Sequence, residues 1–256
     1  MKWSTRILIA LFIVIIAGLL VSNIVLKNEY NRIDKNDTYW TYGKVLEEHF
    51  KYVKIEGGNV TNIAFEQSPN CSVRVLHDWQ RVRPNPVDTY VKNDTLYIKF
   101  TYIPQDEGER DWMQRLTLVR VFSTELPYVE GHNTNFGMFR LKQNNISVNM
   151  SGRSKFEVES FIPDFDSLQV SQRDSSETVF EMSPEYKPAV LTNESNVEKL
   201  NNNESFRIQR LSANLQGNSL LDVGRGKIKS LDLTISDTSA IILSGGGLRT
   251  FCSQKF

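Results

Sequence analysis

The residues best suited to chemistry in this chain lie near its C-terminal end. Ser236-Asp237-Thr238-Ser239 sets hydroxyls beside a carboxylate, and Gly245-Gly246-Gly247 comes shortly after. The first group has the residue types of a nucleophilic site, and the second those of a phosphate-cradling loop. Neither carries the rest of its signature. Ser239 has no G-x-S-x-G elbow and no evident histidine partner. The glycines lack a following Lys-Ser/Thr and a strand-then-helix context. Asp164 and Asp166 form a candidate carboxylate pair beside Phe161 and Pro163, in a stretch that reads as a turn. Glycoside hydrolysis needs two carboxylates held at a set separation, and nothing in the spacing supplies it. His49, His77 and His132 stand apart and read as surface or loop residues. Cys71 and Cys252 show no metal-ligand spacing and read as two buried free thiols. No catalytic, cofactor-binding or metal-ligating residue is expected, no cofactor is implied, and the chain reads as a non-enzyme.

The elements that must position these residues begin with an apolar run. Residues 7–26, ILIALFIVIIAGLLVSNIVL, hold no charge, and a helix of that length rises about 30 Å, enough to cross the hydrocarbon core. No small-residue cleavage site comes after it, so the run reads as an uncleaved signal anchor. Lys2 and Arg6 precede it, and Lys27, Arg32 and Lys35 lie beyond it. A strict positive-inside count leans toward a cytoplasmic C-terminus. The signal-anchor start and the character of the downstream domain favour the opposite orientation, with the bulk of the chain extracytoplasmic in the cell envelope. The expected organisation is an anchor over 1–27, a connector over 28–49 with a short helix capped at Asp37, and a β domain over 50–256. Thirty Lys+Arg balance thirty Asp+Glu. A neutral chain has no electrostatic footprint for nucleic acid, so the expected partners are the membrane, through the N-terminal helix, and other envelope proteins or glycans.

From Phe50 the sequence turns to short alternating runs, KYVKIEGG, NIAFEQ, CSVRVL and TLYIKF, punctuated by turn residues. This section, 50–125, is less regular than residues 126–256. It is interrupted by HDWQRVRPNP and by QDEGERDWMQ, read as a solvated loop with Trp112 as a core anchor.

Over 126–256 the chain repeats itself. LTISDTSAIIL (233–243) aligns with ANLQGNSLLDV (213–223) and VNMSGRSKFEV (148–158), then with VSQRDSSETVF (170–180), and more weakly with AVLTNESNVEK (189–199) and VEGHNTNFGMF (129–139). The first column holds Val129, Val148, Val170, Ala189, Ala213 and Leu233. The fifth holds Asn133, Gly152, Asp174, Asn193, Gly217 and Asp237. These last are residue types that accept left-handed backbone or bond their own backbone. The seventh column is Asn135 and then serine five times, at 154, 176, 195, 219 and 239. Like residues stacked about 4.8 Å apart would let the serines hydrogen-bond from one repeat to the next. Strands, a period near twenty residues and no helical segment predict a parallel β-solenoid.

Between Phe50 and Leu248 the chain resembles the Bacteroidetes "putative auto-transporter adhesin head GIN domain" family. FKYVKIEGGNVTNIAFEQ is similar to its opening strand pair, VKNDTLYIKF to its v-x-(G/N)-x-x-L-x-I strand, and the G-x-S and D-x-S corners to its body. The interruptions at HDWQRVRPNP and after Gln105, and the weak pattern over 181–207, depart from it. The resemblance implies an all-β fold, a right-handed parallel β-helix, and a name that points to adhesion without catalytic residues. The resulting expectation is a non-enzymatic, membrane-anchored envelope protein with an adhesin or scaffold role. A carbohydrate-binding or polysaccharide-degrading protein, with a groove lined by Trp79, Trp112 and charged side chains, is the alternative.

Overall fold

The computed structural model describes residues 3–181, except 84, 103, 105, 140, 142 and 160–163, and residues 207–243, except 225 and 226. The chain divides into two compact units, Met1–Tyr42 and Gly43–Phe256.

In the first unit the apolar run and its flanks form α1 (Trp3–Arg32). Its stretch Trp3–Asn31 is long and apolar enough to cross a membrane, a test that a signal sequence also passes. The expected helix capped at Asp37 does not form. Asp37 instead accepts the Tyr39 amide through Oδ1 at 2.9 Å, the local bond by which aspartate competes with helix.

Among the described residues the second unit carries seventeen strands, counting β1 (Tyr42–Leu46), which begins at the boundary between the units. β2 (Tyr52–Glu56), β3 (Asn62–Gln67) and β4 (Ser72–Leu76) lead into the short helix α2 (His77–Val82). β5 (Val87–Lys92) and β6 (Thr95–Phe100) precede α3 (Glu107–Gln114) and β7 (Thr117–Ser123). The repeats then come in pairs: β8 and β9 (Tyr128–His132, Asn135–Phe139), β10 and β11 (Asn145–Ser151, Lys155–Glu159), and β12 and β13 (Asp164–Gln172, Glu177–Glu181). The last pairs are β14 and β15 (Arg207–Leu215, Leu220–Asp222) and β16 and β17 (Lys227–Ile235, Ala240–Ile242). Nine strands form one sheet in the order β1-β4-β7-β3-β9-β11-β13-β15-β17. Eight form the other, β16-β14-β12-β10-β8-β2-β6-β5.

This corrects the expected all-β, right-handed parallel β-helix. The described residues form two mixed, largely parallel sheets with helices, an α/β-like arrangement. Two physical reasons account for the difference. Asn93 and Asp94 both take positive φ, 51° and 56°, the two-residue hairpin geometry that forces antiparallel pairing of β5 with β6; β4 is likewise antiparallel to β7. The interruption HDWQRVRPNP holds α2, and QDEGERDWMQ, read as a solvated loop, holds α3; the fully buried Trp79 and Met113 pin them to the core.

The repeat columns do set the register. Val129 pairs with Val148, Val148 with Val170, Val170 with Ala213, and Ala213 with Leu233. The first four of these five residues are buried and Leu233 is half-buried. Parity explains this, because residues two apart on a strand share a face. Phe136 and Phe156 pair in register with rings 6.2 Å apart and nearly parallel, an offset aromatic stack inside the core. Two rows need revision. The 129 row is one residue short, so Thr134 and not Asn135 occupies the serine column, directly before the Asn135–Lys155 pair. The 189 row lies outside the described residues, and β14 pairs directly with β12, with no strand between them.

Candidate functional site

The corner hydroxyls close their own bends. Ser154 donates to the Ser151 carbonyl at 2.6 Å, Ser176 to that of Arg173 at 3.0 Å, and Ser219 to that of Gln216 at 2.5 Å. Ser154 also accepts the Thr134 amide of the neighbouring repeat at 3.1 Å. The predicted serine-to-serine ladder is therefore replaced by hydroxyls that satisfy backbone carbonyls at each corner, as buried hydroxyls must find partners. In the fifth column Asn133, Gly152, Asp174 and Gly217 take φ of 53°, 68°, 67° and 67°; Asp237 is not among them.

The Ser–Asp–Thr–Ser group is occupied by this same task. Ser239, Thr238 and Ser236 all donate to the Gly217 carbonyl, at 2.8, 2.5 and 3.3 Å, while Asp237 is exposed. The Ser236 and Ser239 hydroxyls also meet each other at 2.9 Å, so the group is knitted to the neighbouring corner. Gly245, Gly246, Gly247 and Cys252 fall outside the described residues. Cys71 is half-buried, with Sγ 3.5 Å from Ser123 Oγ. Asp166 faces Asn144 Nδ2 at 3.4 Å, and with Asp164 it lies on β12 rather than on the turn expected from sequence. Trp79 lies in the core against Phe100, so it lines no groove with Trp112, which is exposed. Among the described residues no group of His, Cys, Asp and Glu is placed to hold a metal.

His49 and His77 are exposed. His132 does not stand alone. Its Nδ1 lies 3.0 Å from Ser151 Oγ and its Nε2 2.9 Å from Asn133 Nδ2. The pair resembles a nucleophile and base, but the hydrogen-bond network fixes the opposite polarity. Asn133 Oδ1 accepts the Arg153 amide at 2.9 Å, so its Nδ2 faces His132 and donates to Nε2. The proton of the neutral ring then sits on Nδ1 and points at Ser151 Oγ, whose own hydrogen goes to the Gly131 carbonyl at 3.4 Å. In this state the imidazole is a donor to the serine and has no lone pair with which to take its proton.

Two polar clusters tie elements together. Arg83 at the end of α2 meets Glu109 of α3 at 3.0 Å and lies 4.9 Å over the Tyr102 ring, while Tyr102 donates to Glu109 Oε2 at 2.5 Å. Burial, with the Glu109 hydrogen bond, pushes the Tyr102 phenol up. On the eight-stranded sheet Lys54 meets Glu130 at 2.8 Å, and Tyr128 donates to Glu130 at 3.0 Å. Burial alone would push the Glu130 carboxyl up, but these two donors outweigh it and hold it below its ordinary value. The Glu130 hydrogen bond raises Lys54.

The outer face of the eight-stranded sheet is where exposed side chains converge in register. One row crosses it as Tyr90, Tyr97, Lys54, Glu130, Asn149, Ser171, Asn214 and Thr234. The row beside it runs Lys92, Thr95, Tyr52, Tyr128, Ser147, Gln169, Ser212 and Asp232, with Thr95 buried between its neighbours. Tyr90 and Tyr97 stack at 4.9 Å with an 8° interplanar angle. Tyr90 and Tyr52 are the most open, 46% and 40% exposed. Sequence reading missed this face because the repeat columns tracked the inward parity. The signal was present in the tyrosines at alternate positions from the inward Val53, Val91, Leu96 and Val129.

No family model matches the chain, and no curated protein matches it. Among solved structures it is similar to a "putative lipid binding protein" from Parabacteroides distasonis ATCC 8503, with 16% identity and a TM-score of 0.38 over 80% of this chain and 94% of that one. A "putative adhesin" from the same organism gives 15% identity and a TM-score of 0.38 over the same shares. A "putative adhesin" from Bacteroides fragilis NCTC 9343 gives 10% identity and a TM-score of 0.39, over 79% of this chain and 95% of that one.

Proposed function

We propose that this protein is a membrane-anchored, extracytoplasmic envelope protein without enzymatic activity, which presents a sheet surface for adhesion or assembly. The observation that carries the reading is α1, whose apolar stretch Trp3–Asn31 is entirely unburied, ahead of a unit with its own core. Apolar side chains left without protein cover need lipid. The reactive residue types at Ser236–Ser239 and at His132 are spent on backbone and corner bonds, which supports a role in binding. The test uses the full chain with a C-terminal epitope tag in a Gram-negative host. The tag should stay with the membrane pellet after carbonate washing and be cleaved by protease added to spheroplasts, while a cytoplasmic marker survives. A tag protected as well as that marker overturns the orientation, and release into the carbonate supernatant overturns the anchor.

The carbohydrate-binding reading is favoured by a separate observation, the tyrosine-bearing outer face of the eight-stranded sheet.

A further inference from the structure

We propose that the outer face of the eight-stranded sheet binds an extended, uncharged polysaccharide, with Tyr90 and Tyr97 as its stacking platform. The inference deepens the carbohydrate-binding reading and does not depend on the membrane orientation proposed above.

Charge selects the class of ligand. Two cations on the tyrosine-bearing half are paired within the face, Lys54 with Glu130 at 2.8 Å and Lys99 with Glu56 at 3.3 Å, while Lys92 is exposed at its edge, beside Thr95. Across β10, β12 and β14 the two central rows hold only uncharged serine, asparagine and glutamine. These central rows offer no charge to phosphate or uronate chains, which need unpaired Lys or Arg; the exposed Lys92 and Arg210 lie at the margins of the face, outside them.

Chemistry and period then select the occupant. A pyranose ring has one face of C–H groups and a rim of hydroxyls. The open Tyr90 ring, stacked on the half-buried Tyr97, suits the first, since an aromatic face is apolar and its hydroxyl can stay wet. Side-chain amides and hydroxyls, each donor and acceptor at once, suit the second. Asn149, Ser171 and Asn214 succeed one another in register on adjacent parallel strands, and so recur at about 4.8 Å, close to the advance of one sugar unit along an extended chain. A row with one period presents the same contacts again and again, which a polymer of identical units can use and an aperiodic protein surface cannot. The two central rows also contain no aliphatic side chain, whereas the centre of a protein–protein interface is apolar.

The test titrates the detergent-solubilised full chain by calorimetry with cellohexaose, mannohexaose and chitohexaose, and with hexagalacturonate as the acidic comparison. At least one neutral hexamer should bind, and more tightly than hexagalacturonate. Tyr90→Ala and Tyr97→Ala should each weaken binding about tenfold, while Tyr90→Phe, which keeps the ring, should stay within about threefold. Melting temperatures of all three variants should match the parent, which separates lost contact from lost fold. Absence of binding by every neutral hexamer, equal or tighter binding of hexagalacturonate, or unchanged affinity in both alanine variants overturns the inference. None of these results bears on the tag-protection experiment, so the two proposals fail separately.

Discussion

Gly217 is the position where the corner geometry can be tested most sharply. It takes φ of +67°, and a Cβ placed on it would lie 2.8 Å from the Asp174 amide nitrogen, 2.9 Å from its carbonyl oxygen and 3.0 Å from its Cα. Gly217→Ala therefore carries two costs. A non-glycine residue in left-handed backbone loses about 1–2 kcal/mol. The overlap is with backbone of the adjacent repeat, which cannot swing aside as a side-chain end can, and overpacking of this kind costs about 1–3 kcal/mol. Together the loss is about 2–5 kcal/mol, and for a unit of this size that lowers Tm by roughly 4–20 °C. Gly108→Ala is the internal control. It lies in α3, where the new Cβ meets Asp106 Oδ1 at an ordinary 3.5 Å, and helix propensity favours alanine there by up to about 1 kcal/mol. The assay is thermal unfolding of the full chain in detergent, monitored by circular dichroism at 218 nm (a wavelength in the usual range of ~215–220 nm for strands) at one scan rate for all variants. A Gly217→Ala Tm within about 2 °C of the parent, or a Gly108→Ala loss as large, would refute both the corner conformation and the direct seating of β14 on β12.

Leu215→Asp places a carboxylate in a fully buried site on β14 and should abolish the cooperative melt, whereas Leu233→Asp, half-buried on the terminal strand β16, should lower Tm without abolishing the transition; equal outcomes would contradict the assigned burial. Nitrogen-15 NMR should find neutral His132 protonated on Nδ1, and a dominant Nε2–H tautomer would break the Asn133–His132–Ser151 polarity. Glu130 sits below its ordinary value, so its stabilising share is present above the unfolded-state carboxyl pKa and disappears as pH falls through the folded one. Lys54 sits above its ordinary value, so its share is complete below the unfolded-state ammonium pKa and disappears as pH rises through the folded one. Both groups are more than a third exposed, which limits the pair to about 0.2–1 kcal/mol at low salt. Glu130→Gln should therefore flatten the acid limb of a Tm–pH profile slightly, and coincident parent and variant profiles would show that the pair contributes nothing.

The inward half of the fold was legible because burial writes itself into alternate residues. The Val148, Val170, Ala213 and Leu233 column gave both face and register, since a one-residue slip would turn every apolar side chain to solvent. Hydrogen-bond direction was not legible in the same way. A serine in a repeating column can bond up to its neighbour or back to its own corner, and only the backbone geometry at Ser154 and Ser176 decides it. The helix α3 was readable and was missed: Asp106 and Glu109 have D-x-x-E capping-box spacing, and Asp106 Oδ1 does accept the Glu109 amide at 2.7 Å. Trp79 misled by type, because an aromatic amid charges suggests a surface platform, while the α2 backbone turns it inward to Phe100. The tyrosine face was hidden for a different reason. Tyr52, Tyr90, Tyr97 and Tyr128 lie on four strands scattered over the irregular first section and the first repeat, and the parallel and antiparallel pairings that bring them side by side leave no periodic mark in the sequence.

The sheet order has a mechanical consequence. From β8 onward each repeat adds one strand to each sheet, and among the described residues β16 and β17 are the terminal strands of their sheets. Tension applied between the chain's ends meets, at the C-terminal side, the ladders of a single repeat at a time. Freeing the roughly 20 residues between Ala213 and Leu233 releases about 70 Å of contour length. Under load from that side the described ladders give way one repeat at a time while the remaining sheets hold.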